Sequence, residues 1–334
     1  MTPKRRIIPV FVPHAGCTHD CVFCDQRRIS GASGSAIDDV ALLGHNFGSD
    51  TQPSELAFYG GSFTAIPIGL QNDLLEAAQP FLKLNHLNSI RISTRPDCID
   101  ASIIDRLRYY GIATIELGAQ SMCDDVLDKS RRGHTSGDVE RAAAMIKNSG
   151  LALILQMMTG LPGDTREKSL YTARRFTELK PDGVRVYPTV VVRGTYLHAM
   201  WERGEYREHT VECAVEICAE IHAIFNDAAI PIIRMGLNPT RTLDAGDAVA
   251  GAYHPAFGEL VYSRVYYNKA EALLEGVAPD SNITLVVPCG HVSMMIGQHR
   301  RNINELVRKF SLCSIKVIQA DFGTENQIRV AIHR

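Results

Sequence analysis

The sequence predicts an α/β fold, with parallel strands and covering helices in alternation that form a barrel or part of one. Two observations carry this expectation. Six short runs rich in aliphatic and β-branched residues recur between Ile7 and Val192. Between them lie segments whose apolar residues return every three or four positions, as a helix covering a sheet requires. Repeated strand–helix units give parallel sheets with right-handed crossovers.

Taken in order, IIPVFV from Ile7 is the first strand, and a cysteine-bearing loop follows it. LAFYGG from Leu56 leads into the helical LQNDLLEAAQPFL, and SIRIST from Ser89 into SIIDRLRYYG. TIELGAQ from Thr114 precedes DVERAAAMIKNSG, ALILQMM from Ala152 precedes KSLYTARRFTELK, and VRVYPTVVV from Val184 is the sixth strand. Gly111 and Gly150 sit where helix C-terminal caps are expected. In such an architecture chemistry gathers at the C-terminal ends of the strands, and the unusual residues of this chain fall there. After about Ile230 the rhythm changes to the loop-rich MGLNPTRTLDAGDAVAGAYHPAFGEL and a helix near Val265 to Leu274. From about Ser281 the pattern reads strand, turn, helix, strand, turn, strand. The expected division is therefore 1–230 as the barrel core, 231–280 as a loop-rich and helical extension, and 281–334 as a small α+β segment.

The 334 residues are 45% hydrophobic and 22% charged, the proportions of an ordinary globular protein. Lys plus Arg is 35 against 37 for Asp plus Glu, a net charge of −2, which argues against a nucleic-acid coat or a polybasic membrane binder. That balance leaves room for a local basic patch. No stretch approaches the roughly 20 apolar residues of a membrane span. The start, MTPKRRIIPVFVPHAGC, is basic, but Pro9 and Pro13 break its short apolar run, unlike a signal peptide. A cytoplasmic protein is expected. Nine cysteines, an odd number in a chain of this size, do not suit a disulfide scaffold.

Three of those cysteines, Cys17, Cys21 and Cys24, crowd into C-x3-C-x2-C directly after the first strand. A loop that closes on one centre brings three thiolates together. Zinc in a structural site takes four ligands, so His14 or His19 would complete it. A 4Fe-4S cluster on three cysteines leaves one iron open to a small molecule. The plain alternative is three unligated thiols. Cys98, Cys123, Cys213, Cys218, Cys289 and Cys313 are scattered and read as thiols without a cofactor. Cys213 and Cys218, five apart on a helix, point to different faces, so a second cluster is not expected.

With the aromatic Phe23 before its third cysteine, this segment resembles the signature of radical S-adenosylmethionine (SAM) enzymes. The resemblance runs from about Ile8 to Gly258 through separate motifs in order. FYGGSF at Phe58 to Phe63 matches the family's glycine pair after the second strand. STRPD at Ser93, ELGAQS at Glu116, RRGHT at Arg131 and YPTVVVRGT at Tyr187 resemble the Elongator catalytic subunit. GLPGDT at Gly160 is more similar to the oxygen-independent coproporphyrinogen oxidase branch. The resemblance implies a partial (β/α)6 TIM-like barrel, one 4Fe-4S cluster on Cys17, Cys21 and Cys24, and SAM on the open iron. It further implies that Gly60 and Gly61 let backbone approach the SAM ammonium and that Arg132 forks onto the SAM carboxylate. Gln120 and Gln156 would reach the ribose or methionyl groups, Ser93 the ribose, and the Gly160–Gly163 turn the adenine. Each has a plainer reading: a tight turn for the glycines, core amides for the glutamines, a structural charge for one of Arg131 and Arg132.

Two departures narrow what is implied. Ser62, counted by position among the expected cofactor-binding residues, stands where many members carry glutamate, a feature shared with the Elongator subunit. The tail after the barrel is not expected to hold an acetyltransferase domain, so acetyl transfer is not implied. No flavin motif is present, which makes a flavodoxin or ferredoxin the expected electron donor. The tail MIGQHRRNINELVRKF resembles the KH nucleic-acid fold, whose Ile-Gly-x-x-Gly loop lets a phosphate backbone approach. Gly297 matches, but Arg300 replaces the second glycine. His299, Arg300, Arg301, Arg308 and Lys309 make the stretch basic, so RNA, tRNA in particular, is the expected partner through Arg300, Arg301 and Lys309. A small metabolite or tetrapyrrole is the alternative substrate, with Tyr187, Arg193, His254 and Glu259 as polar groups around it. A non-catalytic, metal-stabilised RNA-binding module is the reading from a different class.

Overall fold

The computed structural model describes residues 6–12, 17, 20–25, 35–41, 54–321 and 328–333. Its main sheet holds β1 (Arg6–Phe11), β2 (Ser54–Tyr59), β3 (Ser89–Thr94), β4 (Ile112–Gln120), β5 (Ala152–Thr159), β6 (Gly183–Pro188) and β8 (Ile232–Met235), in that order and all parallel. The sequence predicts six strands, and the sheet has a seventh. Ile232–Met235 is too short for a periodic signal and lies in the loop-rich stretch after residue 230. The sixth run also divides. Pro188, which has no N–H to give a ladder, ends β6, and Thr189 turns back to hydrogen-bond the Thr159 carbonyl through both its backbone N–H and its hydroxyl. Val190–Val192 then forms β7, which pairs antiparallel with β9 (Ala248–Gly251) in a separate two-stranded sheet.

Helices Ile68–Lys83, Ala101–Tyr109, Ser136–Asn148, Arg166–Leu179 and Val211–Asp227 cover the outer face. Their starts are fixed by short polar side chains that accept from orphan N–H groups: Asp100 from Ile103, Thr135 from Asp138, Thr165 from Lys168, Thr210 from Cys213. Gly111 and Gly150 end two of them at φ +78° and +79°, the left-handed conformation expected of a glycine cap. Leu56, Phe58, Ile90, Ile92, Ile115 and Leu117 point outward from the strands and pack with Leu74, Leu107, Phe176 and Phe225 of the helices in one core. Burying each such side chain contributes roughly 1.5–3 kcal/mol.

The other face of the same strands looks inward. Strand side chains alternate faces, so the two-residue steps Ile7–Pro9–Phe11, Glu116–Gly118–Gln120, Gln156–Met158 and Arg185–Tyr187 all line one cavity. Residues from both sheet edges, β1 and β8, border it, which shows that the sheet curls into an incomplete barrel.

Helix Phe257–Leu274 joins this body to a second one. Its Val261 and Val265 belong to the barrel core, while Tyr266, Tyr267, Ala270 and Leu274 belong to a second core with Ile283, Leu285, Met295 and Leu306. That second core sits on β10 (Asn282–Pro288), β11 (Ser314–Ala320) and β12 (Arg329–His333), in the order β11-β10-β12. Helices Val292–Ile296 and Arg301–Phe310 lie between β10 and β11. Among the described residues, no helix is long and apolar enough to cross a membrane.

Candidate active site in the half-barrel

The inward-facing strand ends and the cysteine segment enclose a cavity of about 580 Å³. Cys17, Cys21 and Cys24 border it together with Gly60, Gly61, Ser93, Gln120, Arg132, Gln156 and Tyr187. Seven residues expected to hold SAM or substrate, drawn from six separate segments, thus meet the three thiols in one space. Gly60 and Gly61 have φ of +93° and +122°, conformations that side-chain-bearing residues rarely adopt. Gln120 ends β4 at φ +66°, and its Oε1 accepts from Gln156 Nε2 at 3.3 Å. A left-handed non-glycine residue at a strand end is the kind of local strain that collects at functional sites.

The arginine pair separates cleanly. Arg131 stacks outward on the Tyr196 ring at 3.9 Å. Arg132 turns inward, where Nη1 donates to Cys21 Sγ at 3.0 Å and Nη2 to the Gly118 carbonyl at 2.6 Å, while its buried Nε has no protein partner. Gly118 makes room for this, since a Cβ there would lie 3.0 Å from Gln120 Nε2 and 3.4 Å from Arg132 Nη2. A second guanidinium, Arg95, forks onto Asp97 at 2.9 and 3.0 Å, with its own buried Nη1 unpartnered. Burial and the neighbouring Cys21 raise the Cys17 thiol, whereas the Ser62 backbone, Arg132 and Arg95 favour its thiolate.

Two buried cations with spare donors, facing three thiols, form a surround suited to an anionic metal–thiolate centre and a bound carboxylate. The residues present therefore fit a cluster with an amino-acid ligand. Among the described residues no three His, Cys, Asp or Glu side chains are already gathered at metal-binding distance. His14 and His19, the zinc-completing residues, lie outside the described residues.

Other expected site residues sit elsewhere. Ser62 is buried beneath the cavity, bonded to Thr94 Oγ1 at 2.8 Å and accepting from the Arg95 N–H. Gly160 borders a separate surface groove with Asp164, Tyr206 and His209, and a Cβ on it would fall 2.4 Å from the His209 ring. Its turn is packed from outside the barrel, so it does not border the central cavity. Arg193 bonds the Gly246 carbonyl, His254 caps the Ala256 N–H, and Glu259 opens helix Phe257–Leu274; none of the three lines the cavity. Cys213 is exposed and Cys218 buried on one helix, so the two face apart.

Sequence reasoning missed Tyr59, Arg95, Glu116, Arg185, Arg234 and Asn238, all of which border the cavity. Glu116, buried in β4, has its carboxyl pushed up by desolvation, against the pull of Arg185 and Arg91. Arg185 Nε stands 3.0 Å from Glu116. The available signal was a charge inside an otherwise apolar strand, as in TIELG and GVRVYP.

In the tail, Gly297 has φ +72°, and His299 and Arg300 are both left-handed at +51° and +60°. Arg300 thus holds the backbone shape that a glycine would supply. Arg301 pairs with Glu305 at 2.8 Å and Lys309 with Glu271 at 2.7 Å.

The family model described as "Radical SAM superfamily" matches residues 11–175, and the one described as "Radical_SAM C-terminal domain" matches 181–267. The chain is 32% identical over 249 residues to a tRNA uridine(34) acetyltransferase of Methanocaldococcus jannaschii, covering 68% of this chain and 44% of that protein. It is 28% identical over 232 residues to Elongator complex protein 3 of Dictyostelium discoideum, covering 60% and 41%. The chain thus spans less than half the length of these curated relatives. In fold it is similar to the Elp3 protein of Methanocaldococcus infernus (TM-score 0.59, 24% identity, covering 81% of this chain and 68% of that one). It is also similar to coproporphyrinogen III oxidase of Escherichia coli (TM-score 0.50, 18% identity, covering 68% and 54%).

Proposed function

The chain belongs to the radical SAM superfamily, and from that premise we propose that it cleaves SAM reductively at a 4Fe-4S cluster on Cys17, Cys21 and Cys24 to modify RNA, with tRNA as the substrate. The observation that carries this reading is the convergence of the three thiols, the Gly60–Gly61 pair and inward-turned Arg132 on one cavity. A cluster held by Cys17, Cys21 and Cys24 would supply the single electron for reductive cleavage of the SAM sulfonium, the source of hydrogen abstraction from the substrate. The protein's share is positional. Gly60 and Gly61 let backbone come close to the SAM ammonium, and the Gln120–Gln156 amide pair offers donors and acceptors for ribose or methionyl groups. Ser93, at the end of β3, faces the same space.

Two features support RNA as the substrate. One curated relative is named for a tRNA uridine, and the tail offers a glycine loop between two helices with Arg300, Arg301 and Lys309 around it. The reducing cytoplasm, where free thiols persist, suits three cluster cysteines. The electron would come from a flavodoxin or ferredoxin. Anaerobic incubation with dithionite, SAM and bulk tRNA, followed by nucleoside mass spectrometry, tests the proposal. Expected are 5′-deoxyadenosine release and a new tRNA nucleoside, both lost when Cys17, Cys21 and Cys24 become Ala. A protein that binds zinc but neither iron nor sulfide under reconstitution would defeat the enzyme reading. Deoxyadenosine release with unaltered tRNA would defeat the RNA half and leave a small metabolite or tetrapyrrole as substrate.

A further inference from the structure

Between Tyr59 on β2 and Tyr187 on β6, the cavity holds an arrangement that cofactor binding does not account for. Arg185 starts on β6, and its Nη2 reaches across the interior to the Tyr59 hydroxyl at 2.8 Å, although three strands separate β2 from β6 in the sheet. Its Nη1 donates to the Tyr187 hydroxyl at 3.2 Å. Nε faces Glu116, which also lies 3.9 Å from Arg91. One guanidinium therefore bridges the half-barrel, donating to two phenols and pairing by charge with a carboxylate.

Each phenol oxygen accepts from Arg185, so each phenol's own proton must be donated elsewhere. Among the described residues neither O–H has an acceptor. Both phenols keep that proton at neutral pH, because burial raises Tyr187 and pushes Tyr59 up to about 12. A hydroxyl that accepts from a cation becomes a stronger donor in turn. Nearby, Arg234 is anchored through Nε to the Gly236 carbonyl and through Nη2 to the Leu237 carbonyl, each at 3.0 Å, and it borders the same space with Asn238 and Thr240. Glu116 is already engaged by Arg185, and the other bordering carboxylate, Asp20, belongs to the cysteine segment. This part of the cavity thus offers two phenol O–H donors and positive charge, with the neutral Asn238 and Thr240 beside them.

We propose that Tyr59 and Tyr187, oriented by Arg185 and assisted by Arg234, form a subsite for an oxyanion of the substrate, a carboxylate or a phosphate. The proposal rests on reading this cavity as the active site. About 580 Å³ is the size of a site for one small ligand. The handle proposed here is a compact anionic group at the substrate's reacting end. Two fixed hydroxyl donors would hold that handle at one depth, and so select which substrate atom faces SAM.

Cluster-reconstituted enzyme with SAM is titrated anaerobically with 13C-acetate and, separately, with inorganic phosphate, each followed by NMR of the anion, with tetramethylammonium as a cationic control. Saturable binding of acetate in preference to phosphate assigns a carboxylate, and the reverse preference assigns a phosphate. Tyr59→Phe and Tyr187→Phe, which keep the rings, should each weaken binding several-fold, and together at least tenfold. The parent titration needs no variant, so a poorly folding mutant leaves the test intact. Binding of neither anion by a parent that cleaves SAM overturns the subsite alone. A parent that does not cleave SAM overturns the enzyme reading instead. Unchanged affinity in the folded double variant also overturns the subsite.

Discussion

Arg132 shows how much one side chain can decide. The family resemblance gives it the SAM carboxylate, and the structure adds Cys21 Sγ and the Gly118 carbonyl as partners of its two terminal nitrogens. In the proposed cluster, a cation donating to the Cys21 thiolate would stabilise the reduced, more negative state and raise the midpoint potential. Arg132→Lys keeps the charge but loses the planar fork. The expected outcome is a more negative midpoint potential in spectroelectrochemical titration and SAM affinity lower by about tenfold, the worth of one charge-assisted hydrogen bond. An unchanged potential would separate Arg132 from the cluster, whatever happens to turnover. The sequence made the cysteines, the glycine pair, Gln120, Arg132 and Gln156 legible because their spacing or motif sets them apart. Tyr59, Glu116 and Arg185 were not legible, since strands with both faces covered do not announce which face is inside. Gly160 is a different case: its motif stands out in the sequence, but a turn motif does not say from which side the turn is packed, and this one borders a separate groove.

Among the elements, long helices and the first five strands were readable from period and caps. The gaps fall where an element is short or interrupted. Ile232–Met235 has four residues, too few for alternation to register, and its place in the sheet comes from pairing with β6. VRVYPTVVV looked continuous because valine dominates it, yet Pro188 ends one strand and Thr189 redirects the chain into another. The tail was read in the right order, including the glycine loop. There the two left-handed residues before helix Arg301–Phe310 make a prediction at the scale of an element. A left-handed non-glycine residue costs about 1–2 kcal/mol, and glycine returns about 0.5–1 kcal/mol of that through its freer unfolded chain. Arg300→Gly should therefore stabilise the protein by about 0.5–1 kcal/mol in urea titrations. The same change removes one cation while restoring the glycine spacing, so filter binding to tRNA at two salt concentrations reads a different property. Weaker binding with a flatter salt slope would mark Arg300 as a phosphate contact; stronger binding would mark backbone approach as the limiting feature.

At the scale of the molecule, the barrel and the tail are two hydrophobic cores threaded by helix Phe257–Leu274, and the protein's acid response is set inside the larger one. His134 is buried beside Arg132, with one ring nitrogen on the Ala119 carbonyl and Nδ1 unpartnered. His209 is buried over Gly160, with Nε2 at 3.2 Å from Thr159 Oγ1. Desolvation comes first for both and holds each imidazole down to about 4, with Arg132 adding to the effect at His134. Above pH 6.5 both rings are neutral folded or unfolded, so their contribution to stability is fully present. As pH falls from 6.5 towards 4 the unfolded chain takes up protons that the folded chain refuses, and stability is lost. At pH 5 the gap is about 1.5 units per ring, or about 2 kcal/mol each. Against a typical total of 5–15 kcal/mol, the pair is a large share. Asp164 and Glu116, both raised by their own burial, act in the opposite direction, while His222, also lowered by burial, adds to the histidine effect. The urea midpoint should accordingly drop clearly between pH 7 and pH 5. His209→Gln, which can keep a bond to Thr159 and cannot protonate, should make that drop measurably smaller. Equal midpoints at the two pH values in the parent, or an undiminished drop in His209→Gln, would show that the histidines do not govern the acid limit.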